Sequence, residues 1–86
     1  MMLSFTPNGG KDYQHWLAQD ARILKRVNSL IMECLRTPRE GIGKPEPLKY
    51  SAAEDWSRRI TEEHRLVYRI EDDEITVLAA RFHYDK

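Results

Sequence analysis

The fold is decided by a stretch that reads Trp56-Ser57-Arg58-Arg59-Ile60-Thr61-Glu62-Glu63-His64-Arg65-Leu66-Val67-Tyr68. Its aromatic and β-branched residues predict one strand from Trp56 to Thr61 and a second from His64 to Ile70, with a turn at Glu62-Glu63 between them. A third strand is predicted from Ile75 to Tyr84, after a hairpin turn in the acidic run Glu71 to Glu74. Consecutive strands joined by short turns predict an antiparallel sheet.

Alternation along these strands predicts which side chains share a face of the sheet. In the second strand Arg65, Val67 and Arg69 lie on one face, and the apolar Leu66, Tyr68 and Ile70 lie on the other. In the last strand, His83 shares a face with Val77, Ala79 and Arg81. A hairpin about Asp72-Asp73 brings the end of the last strand beside the start of the second. We therefore expect His83, Arg65 and Arg59 to converge at one end of the sheet.

Two helices are predicted upstream of these strands, after a short first strand at Leu3 to Phe5. Thr6-Pro7 is typical of an N-cap followed by proline at the first helical position, and the first helix ends near Gln19. Asp20 can cap a second helix, which ends before Thr37-Pro38 because a residue preceding proline leaves the α region. The second helix has an apolar stripe at helical spacing, made of Ile23, Leu24, Val27, Leu30, Ile31, Cys34 and Leu35. The prediction is a single α+β domain, residues 1–86, with β-α-α-β-β-β order and a small antiparallel sheet covered on one face by the helical hairpin.

Composition excludes several classes of protein. The formal net charge of this 86-residue chain is zero, so any nucleic-acid site must be a local basic patch. No apolar run is long enough to span a membrane. The N-terminus lacks the pattern of a secretory signal, and the single cysteine, Cys34, cannot form an internal disulfide. We expect a cytoplasmic protein in which buried Cys34 acts as a small hydrophobic residue.

Three side chains suit cleavage of RNA by internal transfer. Taken alone, the same residues also fit an ordinary loop carboxylate at Glu46 and a solvated histidine near the chain terminus at His83. That reaction needs a base for the 2′-hydroxyl, a cation for the charge that develops around phosphorus, and an acid for the departing 5′-oxygen. Glu46, which lies between two prolines, suits the base role, His83 the acid role and Arg65 the cation role. Tyr84 can stack on a base or donate its hydroxyl to the phosphate. Because DNA has no 2′-hydroxyl, the reaction itself selects RNA.

Further basic residues can hold the RNA backbone. Lys44, Lys49 and Arg58 are predicted as weaker phosphate contacts. The alternative is that Arg58-Arg59 and Glu62-Glu63 are cross-strand ion pairs on a solvated face of the sheet. The spacing of the histidines and the cysteine matches no zinc pattern, so neither a metal nor another cofactor is predicted.

The chain strongly resembles the YoeB/Txe family, toxins of bacterial toxin–antitoxin pairs within the RelE superfamily. The residues that carry the resemblance are Arg36-Thr37-Pro38, Glu40-Gly41, Gly43-Lys44-Pro45-Glu46-Pro47-Leu48-Lys49, Trp56-Ser57-Arg58-Arg59-Ile60, Glu63-His64-Arg65-Leu66-Val67-Tyr68 and His83-Tyr84. They cover nearly the whole chain. At Asn8-Gly9-Gly10 the chain departs from the acidic residues usual there, and Phe82 replaces a common tyrosine.

The resemblance implies a microbial-ribonuclease-like α/β fold and a metal-independent endoribonuclease that cuts mRNA in the ribosomal A site. It matches the general base to Glu46, the general acid to His83 and the transition-state arginine to Arg65. It also matches four positions that support the substrate or the geometry, namely Lys49, Arg59, Glu63 and Tyr84. The implied partners are a YefM-like antitoxin, a ribosome carrying mRNA and a second copy of the chain.

Two alternatives belong to other classes of function. A gyrase-inhibiting ParE-like toxin has the same superfamily fold, but that class lacks the acid–base pair that Glu46 and His83 provide here. A DNA-binding helix-turn-helix protein could be built on the two helices. The polar face of the second helix carries mixed charge, which argues against that reading.

Overall fold

Two helices cover one face of a five-stranded sheet in the computed structural model, which describes residues 1–82. The elements are β1 (Met2–Phe5), α1 (Pro7–Gln19), α2 (Ala21–Arg36), β2 (Glu46–Pro47), β3 (Asp55–Arg59), β4 (Arg65–Glu71) and β5 (Glu74–Ala79). The strand order is β1-β5-β4-β3-β2. The predicted α+β class and helical hairpin are confirmed.

Side-chain caps define both helices as the sequence predicts. Thr6 is the N-cap of α1, and its hydroxyl accepts from the backbone N–H of Gly9 at 3.0 Å. Asp20 caps α2 by accepting from the N–H groups of Arg22 and Ile23. Each helix therefore begins at a residue that satisfies free backbone donors.

Close approach between α1 and β5 explains the glycine at the start of α1. A Cβ atom on Gly9 would lie 2.2 Å from the carbonyl oxygen of Val77. The helix backbone can approach the strand only because this position has no side chain. Asn8 adds a hydrogen bond to the carbonyl of Leu78 at 3.1 Å. Asn8 and Gly9 thus hold the start of α1 close against the sheet.

The core lies between the helices and one face of the sheet. Leu66, Tyr68 and Ile70 of β4 are buried there, as alternation predicts. They pack against helix residues that include Trp16, Val27, Leu30, Ile31 and Cys34. The opposite face of the sheet is not covered by α1 or α2.

Three features of the sheet differ from the predicted antiparallel arrangement. First, β1 pairs with β5 in parallel, so the sheet is mixed. Second, Glu46–Pro47 forms an additional edge strand, β2, which the predicted β-α-α-β-β-β order does not include. Third, β5 ends at Ala79, whereas the predicted strand runs to Tyr84. The pairing of β4 with β5 also shifts register between Val67 and Tyr68, so side chains at the end of β5 do not follow the predicted alternation of faces. Proline is tolerated in β2 because that strand is at the sheet edge.

Candidate active site

The face of the sheet opposite the helices carries the predicted base and cations. Glu46 in β2 pairs with Ser57 in β3, and Arg59, two residues along β3, pairs with Arg65 in β4. Residues directly opposite share a face, as do residues two apart in one strand. Glu46, Arg59 and Arg65 are therefore on the same face. Glu46 and Arg59 are diagonal neighbours, a relation that places Cα atoms about 7–8 Å apart.

Arg59 and Arg65 form a cross-strand pair of like charges. Two cations directly opposite one another repel, so the pair costs stability unless an anion lies between or above it. Arg59 is exposed and Arg65 is half-buried. Glu46 is exposed on the edge strand beside them. Two arginines with one carboxylate at their border form an arrangement that suits an anionic group.

The turn before β4 holds the guanidinium of Arg65. Its Nη1 donates to the carbonyl oxygens of Thr61 at 2.9 Å and of Glu62 and His64 at 3.3 Å. Among the hydrogen bonds within residues 1–82, none uses Nε or Nη2 of this side chain. Nη1 thus fixes the guanidinium group in place. The edge that carries Nε and Nη2 has the planar geometry that matches two phosphate oxygens.

The other predicted contacts are exposed around this face. Lys44 lies just before β2, with a positive φ of 52°, and Lys49 lies just after it. Glu63 is exposed in the turn between β3 and β4. The two lysines suit long-range attraction of an anionic ligand. The Glu63 carboxylate would repel one, and the roles of all three remain predictions.

Arg58 does not fit the predicted contact with the RNA backbone, and that prediction is corrected. Its side chain is fully buried, at 0% exposure, on the helix side of β3. The guanidinium donates to the hydroxyl of Tyr68 at 3.0 Å and to backbone carbonyls of the loop after α2. A side chain with no exposed surface cannot reach a phosphate. The signal that could have revealed this is alternation, since Arg58 shares a strand face with Trp56 and Ile60.

The predicted acid His83 and its neighbour Tyr84 lie outside the described residues, so their roles remain predictions. The segment leading to them is held by α1. The carboxylate of Asp12 accepts from the Ala80 N–H at 2.9 Å, and the indole N–H of Trp16 donates to the Ala80 carbonyl at 2.7 Å. Two side chains of α1 therefore hold both backbone polar groups of Ala80, the residue that follows β5.

His64 and Arg65 hold the next part of that segment. Phe82 has a positive φ of 65°, a conformation that is uncommon for bulky residues. Its N–H donates to Nδ1 of His64 at 2.7 Å, and its carbonyl accepts from the N–H of Arg65 at 3.0 Å. No local pattern in the sequence indicates this contact of His64, because its partner is 18 residues away along the chain. For Asp12 a signal was available, because it shares a helix face with Gly9 and Trp16.

Cys34 is confirmed as a buried apolar residue. It is 1% exposed, and burial raises the pKa of its thiol to about 11. A thiol with such a pKa is protonated at neutral pH and is a poor nucleophile. Within residues 1–82, no group of three or more His, Cys, Asp or Glu side chains is placed to hold a metal ion. Neither α1 nor α2 has the length and apolar character that a membrane-spanning helix needs.

The fold is that of a small α+β domain of the YoeB/RelE-like toxin type, with a carboxylate and an arginine pair on the face of the sheet opposite the helices. The family model described as "YoeB-like toxin of bacterial type II toxin-antitoxin system" matches residues 5–84. The chain therefore belongs to the YoeB-like toxins.

Individual relatives agree over nearly their full lengths. Toxin YoeB of Escherichia coli K12 is 51% identical over 84 residues, which cover 98% of this chain and 100% of the relative. A structure described as a YoeB/ParE toxin from Agrobacterium tumefaciens has a TM-score of 0.93 and 48% identity, covering 98% of this chain and 100% of the other. YoeB of Staphylococcus aureus has been solved as a dimer (TM-score 0.88) and in a heterotetrameric complex with its antitoxin YefM (TM-score 0.87). Each has 38% identity and covers 98% of both chains.

Proposed function

We propose that this YoeB-like toxin is a ribosome-dependent endoribonuclease that cleaves mRNA in the A site and so inhibits translation. The observation that carries the proposal is the common face shared by Glu46 and the Arg59–Arg65 pair. A carboxylate beside two cations suits a reaction in which a proton leaves a hydroxyl while negative charge builds on a nearby phosphate.

In the proposed reaction Glu46 removes the proton of a 2′-hydroxyl. The 2′-oxygen forms a bond to the adjacent phosphorus, and Arg65 stabilises the charge on the phosphoryl oxygens. The bond from phosphorus to the 5′-oxygen breaks, and His83 donates a proton to that leaving oxygen. The products are a 2′,3′-cyclic phosphate and a 5′-hydroxyl. Arg59, Lys44 and Lys49 hold the backbone, and Tyr84 contacts a base or the phosphate.

The positive charge that can hold RNA is local to the site, so the toxin needs a ribosome to bring mRNA to it. A chain of zero net charge has little general attraction for RNA. Delivery of the mRNA by a ribosome removes the need for such attraction, and two arginines then suffice to hold one phosphate. We place this activity in the cytoplasm, where ribosomes and mRNA are found.

The proposed protein partners follow from the complexes of a relative. Because S. aureus YoeB is described as a dimer and as a YoeB–YefM heterotetramer, we propose a YefM-like antitoxin and a second copy of this chain as partners. An antitoxin that covers the face of the sheet opposite the helices would block the site directly.

A ParE-like toxin that acts on gyrase is the second candidate, because the A. tumefaciens relative is described as a YoeB/ParE toxin. The two proposals differ in their target, RNA in one case and a topoisomerase in the other. The acid–base set favours the first.

The test compares mRNA cleavage by the wild type, Glu46→Ala, Arg65→Ala and His83→Ala. Ribosomes are programmed with a short mRNA and fragments are mapped by primer extension. Glu71→Ala and Arg22→Ala serve as matched controls, because both residues are exposed and lie outside the proposed site. We expect the three site variants to lose at least 100-fold in rate, on the order of the effect of removing one charge-stabilising group. Undiminished cleavage by all three, or intact mRNA together with inhibited gyrase, would refute the proposal.

A further inference from the structure

The loop between α2 and β2 folds around the guanidinium of Arg58. Nη2 donates to the carbonyls of Thr37 at 2.7 Å and Glu40 at 2.9 Å, and Nη1 donates to the carbonyl of Ile42 at 2.9 Å. Thr37 is the C-cap of α2, so the buried cation also lies at the negative end of that helix. A planar group with five N–H donors can hold several carbonyls at fixed directions, which an ammonium group cannot do.

Tyr68 provides a second connection between the same loop and the sheet. Its hydroxyl accepts from Nε of Arg58 at 3.0 Å and donates to the carbonyl of Pro38 at 2.6 Å. Burial raises the pKa of Tyr68 above its ordinary value, so the hydroxyl stays protonated and can donate. Arg58 and Tyr68 together fix carbonyls at four positions of the loop.

Gly43 connects this fixed loop to the strand that carries Glu46. Its carbonyl accepts from the N–H of Arg59 at 2.7 Å, and its φ is +86°. A Cβ atom there would lie 2.8 Å from Cδ2 of Leu30 and 3.1 Å from Cβ of Arg58. Glu46 follows three residues later, after a proline whose ring restricts φ. Little freedom remains between the Arg58 contacts and the Glu46 backbone.

The cost of burying Arg58 suggests a role beyond stability. Burying a charge carries a large desolvation cost, and replacing buried ionic groups by well-packed apolar side chains of similar volume is often neutral or stabilising. In the part of the chain that the structure describes, Arg58 forms no ion pair, and its hydrogen bonds go to the loop and to Tyr68. What this arrangement adds is a defined shape for the loop that leads into the site.

We propose that Arg58 and Tyr68 are positioning residues, which fix Glu46 at the distance from the 2′-hydroxyl that proton transfer requires. The inference rests on the proposed function, because it takes Glu46 as the base. Neither residue touches RNA; both act through the loop of residues 37–43. A displacement of about 1 Å in a catalytic group can cost about 100-fold in rate, so a modest loosening of the loop has a measurable effect.

The test is a double-mutant cycle between Tyr68→Phe and Glu46→Ala. Tyr68→Phe removes the hydroxyl and keeps the ring in the core. Ile75→Val is the matched control, because Ile75 is buried at 1% exposure in β5 and makes no hydrogen bond to the loop through its side chain. Single-turnover cleavage on programmed ribosomes gives a maximal rate and a half-saturating ribosome concentration for each variant.

We expect Tyr68→Phe to lower the maximal rate about tenfold, within the range for a slightly displaced catalytic group, with unchanged half-saturation. In the Glu46→Ala background the same substitution should change the remaining rate by less than about twofold, because no base is left to position. Ile75→Val should change the rate by less than about twofold in either background.

Two results would overturn the inference while leaving the proposed function intact. One is a Tyr68→Phe rate equal to that of Ile75→Val. The other is a tenfold loss that persists in the Glu46→Ala background. If Glu46→Ala itself cleaves like the wild type, the proposed base and the positioning role are both refuted. If Tyr68→Phe fails to fold, Glu33→Ala replaces it in the cycle, with the same expectations. The Glu33 carboxylate holds the loop from α2 by accepting from the Ile42 N–H at 3.3 Å.

Discussion

Replacing Asp55 by Asn should lower stability at neutral pH. The Asp55 carboxylate accepts from Nε of Arg69 at 2.7 Å and from Nη2 at 3.1 Å, and from the Ser51 hydroxyl at 2.8 Å. Its side chain is 8% exposed, whereas that of Arg69 is 37% exposed. Breaking a fully buried ion pair costs about 3–5 kcal/mol, and an exposed pair contributes under about 1 kcal/mol. Because solvent screens Arg69, we expect an intermediate loss of about 1–3 kcal/mol.

The stability that Asp55→Asn loses relative to wild type should decrease as pH falls. The hydrogen bonds from Arg69 lower the pKa of Asp55 below its ordinary value of 3.8. A carboxyl whose pKa is lower in the folded state stabilises the fold above the unfolded pKa, and that stability disappears as pH falls through the folded pKa. The difference in the free energy of unfolding between wild type and Asp55→Asn should therefore be largest near pH 7 and should become smaller below pH 3.8.

Urea unfolding followed by tryptophan fluorescence measures both effects. Glu54→Gln is the control, because the ion pair of Glu54 with Arg39 is exposed on both sides and should leave the urea midpoint nearly unchanged. Equal stability of Asp55→Asn and the wild type at pH 7 would contradict the reasoning. So would a difference that stays constant or widens as pH falls.

Three further predictions test other parts of the account. Arg65→Lys should slow mRNA cleavage at least about 100-fold, because an ammonium group cannot reproduce the fork toward phosphate; primer extension measures this, and near-normal cleavage would argue against a bidentate role. Gly43→Ala should lower the free energy of unfolding by more than about 1 kcal/mol, because φ is +86° and a Cβ would meet Leu30 and Arg58; a melting temperature equal to that of wild type would contradict it. The Cys34 thiol, with a pKa of about 11, should resist iodoacetamide at pH 8 in the folded protein; alkylation as fast as in urea would show that it is accessible.

Local signals predicted the helices well because their ends depend on adjacent residues. Thr6 and Asp20 each satisfy N–H groups a few residues away, and Pro38 ends α2 through a clash with its neighbour. The hairpin at Asp72-Asp73 is local in the same sense, and the pairing of Glu71 with Glu74 confirms it. Such features can be predicted without knowledge of the tertiary structure.

Features that depend on distant contacts were not predicted. The parallel pairing of β1 follows from its position beside β5, 70 residues away along the chain. The strand at Glu46–Pro47 forms only because β3 is available as a partner.

The candidate site was predicted in part. Alternation placed Arg65 correctly opposite the apolar face of β4, and the predicted hairpin brought Arg59 to the same end of the sheet. The direct pairing of Arg59 with Arg65 depends on a strand register that a two-residue turn at Glu62-Glu63 does not give. Arg58 was misassigned because a charged residue was assumed to be solvated. The loop carbonyls that satisfy its guanidinium come from residues far enough away that no local pattern indicates them. Burial of a paired or hydrogen-bonded arginine is a tertiary property.

The central claim is that this YoeB-like toxin cleaves mRNA through the 2′-hydroxyl beside the broken bond. The most direct measurement replaces that hydroxyl by hydrogen at a single nucleotide of the A-site codon and leaves the rest of the mRNA unchanged. The account predicts that wild-type toxin cuts the all-ribose mRNA to a 2′,3′-cyclic phosphate and leaves the substituted bond intact. Cleavage of the 2′-deoxy bond at a comparable rate would contradict it.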